Sequence, residues 1–490
     1  MNSFNLIDDP WIPVRYRRGG SGRLGLRQTL EQASDIADLD CSPHERVSLI
    51  RLLVCVAQAT TDAPEENDEW NDFEGAWLES ALAYLARPSV LEQFALFGEG
   101  PRFLQTNATG GKDAVPVSKL VFHLATGNNP TFFDHAATLP ARSLPEADLA
   151  MALLSFQCFY PLYGAGHKGK GPCCHGNMLH TIARGSTLHA TILQNCLNGQ
   201  MIEQHFPAAG MGRPIWELDP ATAGFEEVAA RSYLGRLVPR HRNLRLLDDR
   251  AHFLLDKVSL QYPVFEEALE PSATIVVVEK KGSGPERRLL GGRLGRSIWR
   301  DLDAVTVVNK ATGPGQAPLV LQSHPPTSGE ARTIWIGGLI TDMKAKIHDT
   351  CESAFTVPYP MFTPEGRQLY RKGVEFAERQ SRQLFGAVKE YGKRLRIEKP
   401  SVEGAQRDFW NALEQQVSIL LQMVDNPHET LGTNAIGESD DPWSVRVRQA
   451  AVAAYQKTCP RRTPRQLRAY VAGLSILYPR PSKKQTTPTP

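Results

Sequence analysis

The sequence predicts an α+β fold, a large irregular mixed domain over residues 1–362 followed by a four-helix bundle over 363–480 and a disordered tail over 481–490. Three observations predict it. Up to about residue 350, β-rich runs such as "ATIVVVEKK" and "ARTIWIGGLI" alternate with short helical stretches, broken by many glycines and prolines. After "VPYPMFTPEG" the apolar residues recur at 4-3-4-3 spacing, the mark of long helices sharing a seam. A chain of 490 residues with 41% apolar content can also bury two or three cores.

The opening "FNLIDDPWIPVRYRRGGSGRLGLRQTLEQA" reads as strand, turn and strand. Trp11, Ile12 and Val14 favour β structure, and Gly19-Gly20 with Gly22 supplies the reversal. A helix follows, with Ser42, Pro43 and Glu45 as a capping box and Val47, Leu49, Ile50, Leu53 and Val54 as its apolar stripe. In the bundle, Tyr370, Val374, Ala377, Ser381, Leu384, Val388, Tyr391 and Leu395 mark the first long helix. Further helices are predicted at 402–425 (Phe409, Leu413, Val417, Leu420, Val424), 442–457 (Val447, Ala450, Ala454) and 463–478 (Leu467, Val471, Leu474, Tyr478). Pro427, Gly432, Gly437 and Pro460 lie in the connecting loops.

Composition narrows the functional classes. The first residues carry acids where a signal peptide needs a basic start, and no apolar run approaches the ~20 residues of a membrane span, so a cytoplasmic protein without membrane partners is expected. Eight cysteines, mostly in apolar segments and with no CxxC pair, read as reduced core residues. The net charge of +2 hides an asymmetry: residues 362–490 hold 21 Lys and Arg against 13 Asp and Glu, leaving 34 and 40 of the chain's 55 and 53 to the preceding part. A basic module behind an acidic body points to a polyanionic partner.

The segment "YGAGHKGKGPCCHG", residues 163–176, has five glycines, two lysines, two histidines and a Cys-Cys pair. Gly164 to Lys170 satisfy most of the phosphate-loop pattern, but Gly171 stands where the magnesium-holding hydroxyl belongs and Pro172 where the helix should begin. Cys173, Cys174, His175 and His180 could in principle surround zinc, yet adjacent cysteines point apart and structural sites favour C-x(2–4)-C spacing. There is no HExxH, no G-x-S-x-G and no catalytic carboxylate pair. What remains is a loop whose backbone can enter a narrow groove while Lys168 and Lys170 supply positive charge.

On the first bundle helix, Arg371, Arg382, Lys389, Lys393 and Arg396 project within about 60° of one another at ~100° per residue, opposite the seam, with the strongest positive region from Arg382 onward. Glu375 and Glu378 interrupt this stripe near its beginning. Arg461, Arg462, Arg465 and Arg468 form a second basic cluster around the start of the last helix. Both suit contact with a nucleic-acid backbone.

Taken in order, "NLIDDPWIPVR", "LLVCVAQA", "GPRFLQT", "ATGNNPTFFDH", the glycine segment, "RPIWE" and "IGGLITDMKAKIHD" resemble the CasA family, the large subunits of type I-E CRISPR surveillance complexes (Cascade), over nearly the whole chain. The resemblance implies a non-enzymatic subunit, without cofactor, that recognises the protospacer-adjacent motif (PAM) in double-stranded DNA, starts strand separation and helps recruit the helicase-nuclease. It implies as partners the crRNA, target DNA, the backbone subunits, the small-subunit dimer and the subunit that binds the crRNA 5′ handle. Gly164, Gly166, His167, Lys168, Gly169, Lys170 and Gly171 match the family's minor-groove glycine loop; Lys280 and Lys281 match a lysine-bearing hairpin. Asp342 matches a polar PAM contact. The neighbouring wedge position is Met343 or Lys344 where the family has glutamine. Asn129, Phe132 and Phe133 lie in a loop that would touch the crRNA 5′ end. Some relatives carry a four-cysteine zinc hairpin; this sequence has no matching cysteines, so no metal is expected. Two other classes are a nucleotide-binding enzyme built on the phosphate-loop-like segment and a helical scaffold without DNA contact; the latter leaves the basic charge unexplained.

Overall fold

The computed structural model describes residues 4–60, 63–65, 67–108, 114–124, 143–160, 169–264, 269–280, 282, 284–308, 315–341, 347–431, 436–437 and 440–478. The fold is α+β, and the chain divides into two compact units. One comprises residues 1–294, 307–325 and 332–356; the other comprises 295–306, 326–331 and 357–490. The tail from 481 lies outside the described residues.

In the first unit, β1 (Ile12–Tyr16) lies between β2 (Ser21–Leu24) and β3 (Ile36–Leu39), antiparallel to both. Gly19 and Gly20, at φ +89° and +87°, make the β1–β2 reversal in a conformation that a Cβ disfavours. The "NLIDDPWIP" motif is a packed turn. Trp11 is fully buried and donates Nε1 to the carbonyl of Leu6 at 2.8 Å, and the amide of Leu6 donates to the carbonyl of Phe94 at 3.0 Å.

Helix α1 (Pro43–Gln58) opens as its sequence predicts, with the Glu45 carboxylate accepting from the amide (3.0 Å) and hydroxyl (2.6 Å) of Ser42. The predicted stripe is buried, but so are Leu52, Cys55 and Val56 on the other side, because this helix runs through the core and is covered all round. Its Arg51 is buried too. It pairs with Glu270, which also accepts from Arg236 Nε at 3.3 Å, and it donates to the carbonyls of Leu237 (2.8 Å) and Arg236 (2.6 Å). Around α1 stand α2 (Asn67–Leu85) and α3 (Glu146–Phe159). The motifs "GPRFLQT" and "RPIWE" meet in this core: Phe103 and Trp216 lie 4.9 and 5.1 Å from Phe94, and Trp216 Nε1 donates to the Tyr84 hydroxyl at 2.7 Å.

The remaining strands are β4 (Val115–Pro116), β5 (His180–Ala183), β6 (Arg242–Leu246), β7 (His252–Ser259), β8 (Ile275–Lys280), β9 (Gly284–Leu289), β10 (Arg332–Thr341) and β11 (Ile347–Val357). They form a β4-β7-β6 sheet, a β8–β9 hairpin and a β11-β10-β5 sheet with β10 at its centre.

The second unit is helical. Helix α4 (Pro364–Leu395) is capped by Thr363, whose hydroxyl accepts from the Gly366 amide at 3.2 Å, and it ends where Arg396 turns left-handed at φ +59°. Its predicted seam is buried from Tyr370 to Tyr391, while Leu395 is half-buried. The helix predicted over 402–425 is two, α5 (Val402–Glu414) and α6 (Val417–Asp425), divided by a tight turn in which the Gln416 amide donates to the Leu413 carbonyl at 2.8 Å. The apolar spacing runs unbroken through that turn, so the sequence pattern does not reveal it. Asp441 caps α7 (Pro442–Thr458), and Thr463 with Gln466 caps α8 (Pro464–Leu477).

Two expectations are corrected here. On α8 the buried residues are Ala469, Tyr470, Gly473 and Leu477, whereas Leu467, Val471 and Tyr478 of the predicted stripe are 49%, 57% and 53% exposed. Tyr455 donates its hydroxyl to the Tyr470 carbonyl at 2.9 Å, and a Cβ on Gly473 would stand 2.0 Å from that hydroxyl and 2.7 Å from the Ala387 carbonyl. Close backbone approach through a glycine outcompetes a branched aliphatic face. Secondly, residues 295–306 join the helical unit rather than the mixed one. Trp299 is fully buried with ring centroids 5.6 Å from Trp443 and 6.0 Å from Trp410, its carbonyl accepts from the Tyr370 hydroxyl at 2.8 Å, and Arg300 sits 4.0 Å over Trp410.

The eight cysteines are all free thiols and six are buried. Among the described residues no helix is long and apolar enough to cross a membrane.

Candidate nucleic-acid interface

The amide of Gly171 donates to the carbonyl of Tyr160 at 2.9 Å, which brings positions 160 and 171 together. Gly164, Gly166, His167 and Lys168 lie outside the described residues. Gly169 has φ +83°, and a Cβ there would meet Gln261 Oε1 at 2.8 Å. Gly171 is buried, and a Cβ on it would lie 2.5 Å from the Cys158 carbonyl. It therefore closes the segment's base and is withheld from any ligand, which corrects its assignment as a DNA contact. After Lys170 the chain enters a short 3-10 turn, Pro172–Asn177, with left-handed Gly176 and Asn177, where a phosphate loop would enter an α-helix.

Lys170 is half-buried. Its Nζ donates to Thr341 Oγ1 at 3.1 Å, at the end of β10, just before the residues expected to form the wedge. Asn177 grips the same residue: Nδ2 donates to the Thr341 carbonyl (3.0 Å), and Oδ1 accepts from its amide (3.1 Å) and hydroxyl (3.0 Å). Asp342, Met343 and Lys344 lie outside the described residues, between Thr341 and Ile347. Lys280, at the end of β8, is exposed with Nζ 3.8 Å from Glu286 Oε2. Lys281 lies outside the described residues, as do Asn129, Phe132 and Phe133. The base of the β8–β9 hairpin reaches the same place, since the Leu179 amide donates to the Leu290 carbonyl at 2.9 Å and that of Gly292 to the Asn177 carbonyl at 2.8 Å. Sequence reading missed Asn177 and Thr341. The available signal was the Gly-Asn dipeptide, which marks left-handed backbone.

The residues weighed for zinc part company. Cys174 Sγ faces Thr341 Oγ1 at 4.0 Å, while Cys173 joins His180 and Glu270, with ligand-type atoms within 4.8 Å of one another. His180 is already engaged, Nδ1 with Ser272 Oγ at 2.8 Å and Nε2 with the Cys173 carbonyl at 3.0 Å, and Glu270 is held between two guanidiniums. Those arginines supply the positive charge that a cation would bring. Burial raises the Cys173 thiol, but the Cys158 hydrogen bond and the charges of Arg51 and Arg236 outweigh it and bring it to about 7. Burial, with Arg236 and Lys170 nearby, pushes His175 down to about 4.

The two basic clusters of the helical unit, 65 residues apart from Arg396 to Arg461, meet at one end of the bundle. Tyr391 donates its hydroxyl to the Pro460 carbonyl at 2.6 Å, and Arg465 Nη2 reaches the Leu395 carbonyl at 3.4 Å. Arg382, Lys389, Lys393 and Arg396 are exposed, as are Arg461, Arg462, Arg465 and Arg468. Among the described residues none of the eight is paired with a carboxylate; Lys389 lies over Phe385 at 4.5 Å and Arg461 over Tyr470 at 5.3 Å. Glu378, which interrupts the stripe, is held by Arg300 (2.6 Å) and Arg296 (3.7 Å).

A relative from Thermus thermophilus, described as CRISPR-associated protein CasA/Cse1, is 27% identical over 94% of this chain and 93% of its own length. The solved structure of Thermus thermophilus CasA (Cse1) matches with a TM-score of 0.75 at 22% identity, covering 98% of this chain and 99% of that one. A chain of a CRISPR RNA-guided surveillance complex matches with a TM-score of 0.71 at 18% identity, covering 97% and 99%. The family model for CRISPR-associated protein Cse1 matches residues 5–454. With nine-tenths of its length matched to that model, the chain belongs to the CRISPR-associated Cse1 family.

Proposed function

We propose that this chain is the large subunit of a crRNA-guided type I-E Cascade complex, and that it recognises the PAM in duplex DNA and begins strand separation without catalysing a reaction itself. The observation that carries the reading, beside family membership, is the common anchorage of three segments. Lys170 of the glycine segment, the base of the lysine hairpin at Gly292 and Thr341 at the start of the wedge segment are all bonded around Asn177 and Thr341. In this reading the glycine segment and Lys280 and Lys281 enter the minor groove, Asp342 makes a polar contact there, and Met343 or Lys344 is inserted between base pairs; sequence identity beyond the PAM is left to guide pairing. The loop 128–135, with Asn129, Phe132 and Phe133, contacts the crRNA 5′ end. The basic end of the bundle follows the DNA backbone, and the assembled complex recruits the helicase-nuclease.

The test is binding of a randomised-PAM duplex library by the reconstituted complex. Enrichment of a short motif that disappears on replacing Gly166 with leucine supports the reading. Uniform binding of all library members rejects it. Truncating Met343 and Lys344 to alanine is expected to slow opening of linear duplex more than loading onto a pre-melted bubble; equal slowing on both would argue against a wedge.

A further inference from the structure

We infer that Asn177 is a positioning residue that locks the glycine segment, the lysine hairpin and the wedge segment into one register, so that PAM engagement and strand opening are a single mechanical event; this rests on the preceding assignment of those segments as DNA contacts. The argument starts from the sheet. β5 pairs with β10 antiparallel through His180↔Gly337 and does not continue as a regular strand toward Thr341. At Asn177 the main chain has already turned away, into a left-handed φ of +56°, and gives its carbonyl to Gly292.

The side-chain amide then takes over the missing ladder position. It has both an acceptor and donors, and here it accepts from the amide of Thr341 and donates to its carbonyl, as a neighbouring strand would. Left-handed backbone is open to asparagine at little cost, and glycine would tolerate it better. Glycine, however, could not make these bonds. The Thr341 hydroxyl completes the node by donating to Asn177 Oδ1 and accepting from Lys170 Nζ. The Asn177 side chain thus touches the residue at which β10 ends and the wedge segment begins, its main-chain carbonyl holds the exit of the lysine hairpin, and Lys170 ties in the glycine segment through Thr341. A shift of about 1 Å in such a support can cost orders of magnitude in rate.

The test uses the assembled complex with Asn177→Gly, which keeps the left-handed backbone and deletes only the amide. The expected result is a fall of about tenfold or more in the ratio of opening rates on PAM-bearing and PAM-lacking linear duplex. Assembly and loading onto a pre-melted bubble should remain at wild-type values, and the thermal midpoint should fall only slightly for the hydrogen bonds lost at buried Thr341. Asn177→Asp, which retains the acceptor for the Thr341 amide and hydroxyl, should restore part of the ratio. Thr341→Val, which removes the hydroxyl shared with Lys170, serves as the second variant should Asn177→Gly assemble poorly, and it should lower the same ratio. An unchanged ratio in both variants overturns the inference, and so does an equal loss on bubble and linear substrates. A Gly166→Leu control separates the two levels: if it lowers the ratio while the Asn177 and Thr341 variants do not, the register idea alone fails. If it too leaves the ratio unchanged, the assignment of the segments as PAM contacts fails first.

Discussion

The amide of Gly171 and the carbonyl of Tyr160 are joined at 2.9 Å, and the space where Gly171 would carry a side chain is filled by the Cys158 carbonyl. Gly171→Ala should therefore lower stability by about 1–3 kcal/mol, the range expected for forcing a methyl group into packed backbone. Urea denaturation reads this directly. Gly166→Leu, by contrast, is expected to leave the midpoint unchanged, so the two glycines separate a folding role from a ligand-facing one.

The basic end of the bundle predicts a salt effect. Every phosphate interaction that is removed should reduce the slope of log affinity against log salt by nearly one unit. Replacing Lys389, Lys393 and Arg396 together with glutamate should weaken retention of DNA and flatten that slope in a salt titration of the assembled complex. Charges that merely keep the bundle in solution would leave the slope where it was.

Glu270 sits between Arg51 and Arg236 with all three side chains almost fully buried. Glu270→Gln leaves two guanidiniums without their counter-charge, at a cost of about 3–5 kcal/mol. Equilibrium unfolding should show this loss. A variant as stable as the parent would mean that water or backbone carbonyls suffice for the arginines.

Burial depresses five histidines, His44, His175, His241 and His324 to about 4 and His180 to about 3. In the unfolded chain a histidine titrates near ~6.5, so below that pH the unfolded state binds more protons than the folded one. The stabilisation is complete above about pH 6.5 and is lost as pH falls toward the folded values, at up to ~1.4 kcal/mol per pH unit for each histidine. Unfolding free energies at pH 7 and pH 5 should differ in that sense, and His324→Gln should make the dependence shallower.

How much of this was legible before folding differs by element. The first bundle helix announced itself through the 4-3-4-3 recurrence of Tyr370, Val374, Ala377 and Ser381, because an amphipathic helix repeats its buried face over neighbouring turns. The inward face of α8 did not, since apolar content favoured Leu467 and Val471 while the packing turned on Gly473 and Tyr470. The glycine segment stood out by composition. Its supports did not: Asn177 and Thr341 are ordinary polar residues 164 positions apart, and only the antiparallel course of β5 and β10 brings them together.

Trp299 has a consequence for the order of events during synthesis. Its aromatic partners, Trp410 and Trp443, emerge from the ribosome more than a hundred residues later, and α8 later still. At ~5–20 residues per second, the 171 residues from Thr306 to Leu477 take roughly 10–30 s to make. Until Trp410 and Trp443 have been made, the indole lacks its ring partners. The helical unit is thus the last part of the nascent chain able to close, and a fragment beginning at Val357 would lack the ring around which Trp410 and Trp443 pack.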